Sequence, residues 1–216
     1  KMLLLLQAAA ERMVGYWERR LSVFGPEYCY LPFTLEGALQ RDVVALERGV
    51  FQVLGTDVSN RGVLLFDCGP HDWTMYSVHS MLRVLWYFME ACADLSNDKV
   101  TISLVANQKN AILGNFSRKF ALYAYESERR YLPIRANGGH ICYPNVVFRN
   151  VIAPVVKIMI GRRHRLMLQF HHGLQKDVLS RLQDFGISKE IVPYDLGGDL
   201  KLDVVAWLEK RRALDL

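Results

Sequence analysis

The chain lacks the run of about 18 to 20 apolar residues that a membrane-spanning helix requires, because Arg83, Glu90 and Lys157 interrupt its most hydrophobic stretches. It also lacks the enzyme signatures that usually sit on α/β sheets. No GxGxxG follows an apolar run, no GxxxxGK[ST] is present to cradle phosphate, no GxSxG places a serine on an elbow, and no HExxH offers two histidines to zinc. These absences remove the common handles for catalysis, and a non-enzymatic protein without cofactor or metal is expected. Cysteine is sparse: Cys29, Cys68, Cys92 and Cys142 form no CxxC pair and no ligand-like spacing. A reducing, cytoplasmic setting is therefore expected, with the thiols acting as small hydrophobes. Leu3 to Leu6, closed off by Gln7, fall short of the roughly 7 to 15 apolar residues of a secretory signal, so Lys1 reads as a truncation point in a longer chain. There is no internal repeat and no low-complexity tract.

What is present is ample apolar material. Of 216 residues 51% are hydrophobic, with ten Phe, ten Tyr and four Trp, enough for a large core and an internal cavity. The formal charge of +5 is modest for nucleic-acid binding, and no nucleic-acid partner is expected. The same bias suits weak, peripheral attraction to an anionic membrane surface. A monomer is expected.

Hydrophobic spacing of three and four predicts helices over Leu3–Phe24, ended by Gly25-Pro26, and over Leu39–Arg48. Two strands follow, Val50–Leu54 and Gly62–Cys68, with turn residues between them. Thr74–Leu95 reads as a long, very apolar helix. Beyond it come strand Val100–Val105, helix Asn115–Tyr131, strand His140–Tyr143, helix Val146–Ile160, strand Leu166–Phe170, helix Leu174–Phe185 stopped by Gly186, and helix Lys201–Arg212. Such alternation predicts an α/β fold with a mainly parallel sheet covered by helices, since parallel strands need crossovers. Residues 1–49 read as a helical N-terminal region and 50–216 as the α/β domain.

The most informative segment is Val146–Ile160, apolar around nearly its whole circumference with only Arg149 and Lys157 charged. A helix of this kind is buried, or it faces something apolar that is not protein. Pro154 lacks an amide hydrogen and disfavours helix at Ala153, so a kink is expected there and the segment can act as a flap. Gly161-Arg162-Arg163-His164-Arg165 follows directly; its planar guanidinium forks suit phosphate or a membrane edge, although a charged, solvated loop accounts for the run equally well. His71, His171 and His172 are candidates for proton or metal chemistry only in a hydrolase reading, which lacks a visible nucleophile; a structural or solvent role is the expectation for them.

Six stretches, taken in order, resemble one known family. They are Arg61-Gly62-Val63-Leu64-Leu65-Phe66-Asp67, Tyr131-Leu132-Pro133-Ile134-Arg135, His140-Ile141-Cys142-Tyr143-Pro144, the Val146–Ile160 helix, His172-Gly173, and Pro193-Tyr194-Asp195-Leu196-Gly197-Gly198. Together they are similar to the CRAL-TRIO lipid-binding domain, and Ala10–Asp42 is similar to the helical region preceding it. The resemblance implies a hydrophobic pocket floored by parallel strands and closed by Val146–Ile160 as a mobile gate. It implies a bound lipid, either a phospholipid or another hydrophobic small molecule, transferred between membranes. A lipid-sensing regulatory or protein-interaction module is the alternative. Phe66, Trp86, Leu104, Phe120, Tyr143, Phe148, Ile152, Val155 and Met159 are expected along the lipid pocket. Arg162, Arg163, Arg165 and His172 are expected at the headgroup or the bilayer. Pro133 or Ile134 stands where inositol-binding members carry a carboxylate, so no carboxylate is expected at that end.

Overall fold

A computed structural model describes residues 2–69 and 71–215 of the chain; Lys1, the expected truncation point, lies outside them. Five strands, β1 (Phe51–Thr56), β2 (Gly62–Asp67), β3 (Thr101–Asn107), β4 (Arg135–Cys142) and β5 (Leu168–His171), form one sheet in the order β1-β2-β3-β4-β5. β1 pairs antiparallel with β2 as a hairpin, and the remaining pairs are parallel. Each parallel step needs a crossover. Helix α3 (Val78–Ala93) joins β2 to β3, α4 (Arg118–Glu126) joins β3 to β4, and α5 (Ala153–Met159) with α6 (Arg162–Met167) joins β4 to β5. The α/β class and the mainly parallel sheet expected from the sequence are both present.

Apolar cores lie on both faces of the sheet. On one, α3 packs against Phe51, Leu64 and Ile102, and the N-terminal helices α1 (Met2–Phe24) and α2 (Val43–Glu47) pack behind it. On the other, α7 (Gln175–Asp184) and the following turns cover Val63, Leu65, Val105 and Cys142. Helix α3 is buried almost all round, as its composition requires, and Gly62 of β2 is needed because any Cβ there would strike the Cys92 carbonyl. Its one buried charge is paired: Arg83 binds both carboxylate oxygens of Asp42 at 2.7 Å and the Val23 carbonyl, while Ser80 donates to Asp42 at 2.6 Å. That network ties the N-terminal region to α3. Helix α8 (Val204–Asp215) lays Trp207 against Phe88, the rings stacked at 4.8 Å. Among the described residues, no helix is long and apolar enough to cross a membrane.

Several boundaries differ from the sequence expectation for local reasons. Helix α3 starts at Val78 rather than Thr74, because Asp72 accepts hydrogen bonds from the Thr74 amide and hydroxyl and holds that segment in a turn. Ser77 then caps the helix through the Ser80 amide. The helix expected over Asn115–Tyr131 starts at Arg118, capped by Ser117, and widens into a π-type turn over Ser127–Tyr131, where the Ser127 hydroxyl donates to the Tyr123 carbonyl. Strand β4 begins five residues earlier than expected, since Gly138 and Gly139 carry no side chain that would reveal alternation.

Candidate ligand cavity

Between the sheet and its outer helices lies a cavity of about 310 Å³. Parallel pairing sets Phe66, Ala106 and Ile141 side by side, and Leu104, Gly139 and Leu168 beside them, so these residues share the face that floors it. Small residues create the space: Ala106 on β3 and Ala136 and Gly139 on β4 stand where larger side chains would fill it. Phe120, Ala121, Ala124 and Tyr125 of α4 form a wall. Phe148, Ile152, Ala153, Val156, Lys157 and Ile160 form the lid, and His164 and Met167 of α6 close the end.

The lid is the segment expected to be a gate, and its form follows from Pro154. A wide π-type turn over Phe148–Ile152 runs into α5, with Pro154 in the first turn of that helix. A proline inside a regular helix would leave a carbonyl unpaired and clash with the preceding turn; the widened turn absorbs both effects. Phe148, Ile152 and Ala153 are buried against Ala106 and Ile141, whereas Val146, Val151 and Ile158 point outward, Ile158 being 82% exposed. Both ends are anchored. At the entry, Asn145 donates to the Ala111 carbonyl at 2.6 Å and accepts from the Phe148 amide at 2.9 Å, two residues after Tyr143 in the left-handed region (φ 52°). At the exit, the Gly161 amide donates to the Tyr125 hydroxyl at 2.8 Å.

Of the residues expected along the pocket, Phe66, Leu104, Phe120, Phe148 and Ile152 line the cavity together. The other four do not. Trp86 is fully buried on the far side of α3, stacked on Tyr16 at 5.9 Å, because α3 buries two faces and the helical region covers the second. Tyr143 packs with the core on the opposite side of the sheet. Val155 and Met159 are half-buried on the flank of α5, one step round from the inward stripe of Ile152, Val156 and Ile160. The arginine run forms a short helix rather than a loop: Arg162, Arg163 and Arg165 are exposed on α6, and Arg165 donates to the Lys157 carbonyl at 3.0 Å. His172 is exposed just past β5 and does not line the cavity. Sequence reasoning did not single out Tyr125, and it treated His164 only as part of the basic run. A carboxylate does stand nearby, Glu128 of the π-type turn, which bonds the His164 ring at 2.9 Å and accepts from the Ala136 amide at 3.1 Å, but it is not at the Pro133–Ile134 position and does not line the cavity.

The remaining histidines are structural. Asp72 donates its amide to the Tyr76 oxygen, the Tyr76 hydroxyl and His71 Nδ1 share a hydrogen bond at 2.9 Å, and the His71 ring lies edge-on to Trp73 at 4.2 Å. Burial lowers the His71 pKa to about 4. His171 pairs with His140, Nε2 to Nδ1 at 3.0 Å, on the opposite face of the sheet beneath Phe185; burial pushes both down to about 4, and each has a like-charged neighbour in support. The histidines of the hydrolase reading are therefore not brought together. Cys68, which lines the cavity, has its thiol pushed up to about 12 by burial, so at neutral pH it is a small apolar group.

Comparison with known proteins agrees with this geometry. The family model of the CRAL/TRIO domain matches residues 46–198. The crystal structure of Sfh5 is similar with a TM-score of 0.56 at 12% identity, over 90% of this chain and 73% of that chain, a likeness of fold. No curated protein gives a significant match.

Proposed function

The chain belongs to the CRAL/TRIO family of lipid-binding domains, and from that premise we propose that it carries one hydrophobic ligand in the cavity over β3 and β4. The ligand exchanges through the Phe148–Met159 lid at a membrane surface, without covalent chemistry. One observation carries this reading: a cavity of about 310 Å³ whose floor, wall and lid are almost wholly apolar. Such a space has no use for water, since a buried water needs two to four polar partners. An alkyl or ring system fits it, and each methylene removed from water contributes about 0.8 kcal/mol. The lid divides the work between its faces. Phe148 and Ile152 seal the ligand, while Val151 and Ile158 present apolar side chains outward beside Arg162, Arg163 and Arg165.

Native mass spectrometry of the purified chain, paired with a vesicle-to-vesicle assay of a fluorescent phospholipid and a fluorescent fatty acid, tests the reading. One lipid per chain and faster transfer of at least one probe are expected. A chain that retains no lipid and accelerates neither probe is not a carrier.

A further inference from the structure

Cys68, Gln108, Asn115 and Ser117 line the cavity where β2 and β3 end. Most of this polar edge is engaged within the protein. The Cys68 thiol donates to Gln108 Oε1 at 3.3 Å, the Asn115 side chain accepts from the Ile112 amide and donates to the His71 carbonyl, and the Ser117 oxygen caps α4. Gln108 is different. Its backbone is fixed, the amide donating to the Cys142 carbonyl at 2.9 Å and the carbonyl accepting from the Ala111 amide at 3.2 Å. Burial keeps the Cys68 thiol protonated, so it acts as a donor and takes the side-chain oxygen of Gln108. The side-chain nitrogen Nε2, with two donor hydrogens, has no hydrogen-bond partner among the described residues. Gln108 is only 4% exposed, yet its Nε2 is not sealed in by protein as the Trp86 and His71 ring nitrogens are, so the space open to it is the cavity.

We propose that Gln108 selects the ligand: its Nε2 donates to one neutral oxygen, a hydroxyl or a carbonyl, at the buried end of an otherwise apolar lipid whose chain runs toward Ala136 and Met167. The proposal rests on the carrier reading above and adds the polarity and orientation of the ligand. A buried amide donor is costly to leave without an acceptor. Water suits the place badly, because it needs two to four polar partners and the neighbouring groups are already taken. A charged head is excluded for another reason. Among the described residues lining the cavity, Lys157 carries the only permanent cation, and its ammonium lies 5.2 Å from the centre of the Phe170 ring on β5, two strands and about 10 Å from β3. A carboxylate or phosphate at Gln108 would therefore be buried without a counter-ion. A single neutral oxygen satisfies the amide and leaves the rest of the molecule in apolar contact.

Titration calorimetry on the delipidated chain with dodecyl alcohol, decyl methyl ketone, dodecane and dodecanoate tests this, read against Gln108→Met, which keeps the side-chain length and removes the amide. The variant should bind the alcohol and the ketone about five- to tenfold more weakly than the parent, the scale of one neutral hydrogen bond, and dodecane no more weakly. In the parent, dodecanoate should bind less tightly than the alcohol. Because the amide lacks an internal partner for its nitrogen, the delipidated variant should melt no lower than the parent, and Gln108→Leu provides a second apolar replacement for the same measurements. An equal effect on the three neutral probes shows that Gln108 reads no oxygen and overturns the proposal while leaving the carrier intact. Tighter binding of dodecanoate than of the alcohol overturns the neutral assignment. A marked fall in melting temperature in both variants places the partner of the amide inside the protein and overturns the proposal too. If none of the four probes binds and a fluorescent phospholipid is taken up, only the ligand class fails; if that phospholipid is refused as well, the carrier reading fails with it.

Discussion

Ala106 shows how a packed protein keeps room for a guest. It is buried between Phe66 and Ile141 at the centre of the floor, and its methyl group ends where the cavity begins. Replacing it with leucine should fill space that ligand otherwise occupies. Ligand affinity should fall roughly tenfold, while stability changes by less than about 1.5 kcal/mol because the added carbons enter a void rather than a filled core. Thermal melts and a displacement titration on Ala106→Leu check both halves. A large loss of stability with affinity unchanged would mean that the space is closed in solution. A second residue-level consequence concerns pH. His71, His140 and His171 have native pKa values of about 4, below the ordinary 6.5. As pH falls through 6.5 the unfolded chain takes up protons that the native state refuses until near 4, so stability declines across that window and is flat above it. For His71 alone the loss approaches about 3 kcal/mol; His140 and His171 share one hydrogen bond, so their losses are not independent. Urea midpoints should fall steadily from pH 7 to pH 4.5, and a constant midpoint would show these rings protonating freely in the native state.

Among the elements, the lid carries the strongest mechanical expectation. Its widened turn exists because Pro154 cannot continue a regular helix, and the anchors at Asn145 and Gly161 leave the stretch between them as the part that can swing. Pro154→Ala supplies the missing donor and allows one continuous helix. Exchange of bound lipid should slow severalfold in stopped-flow transfer while equilibrium affinity stays nearly constant; an unchanged exchange rate would place the moving part elsewhere. This element was also the most legible in the sequence. An apolar circumference broken by proline is a local pattern, and so are the hairpin, the β-branched run Val100–Val105 and the glycine stop at Gly186. The face that each helix turns inward was less legible. Trp86 and Phe120 look alike as aromatic residues on apolar helices, yet α3 is covered on both sides and Trp86 faces the N-terminal helices. Tyr125 and Glu128 escaped notice because their partners, Gly161 and His164, are 36 residues away, and no spacing rule reports such a contact.

For the molecule as a whole, the proposed carrier role raises the question of how the segment over the cavity would be presented to a bilayer. The net charge of +5 gives a general attraction to anionic surfaces but no orientation. Orientation needs charge concentrated near the opening, and α6 supplies it: Arg162, Arg163 and Arg165 are exposed immediately after the lid, whose outward Val151 and Ile158 are available for apolar contact. Near an anionic surface each basic residue contributes about 1 kcal/mol, so changing all three arginines to glutamine should reduce partitioning onto phosphatidylserine vesicles by roughly a hundredfold. The effect should shrink as salt rises, because screening shortens from about 10 Å at 0.1 M to about 3 Å at 1 M. Binding of a lipid probe measured without vesicles should be unaffected in the same variant, since none of the three lines the cavity. Vesicle sedimentation across a salt series separates the possibilities. Partitioning equal to the parent at every salt concentration would show that α6 is only a solvated helix and that the lid meets the membrane by some other edge.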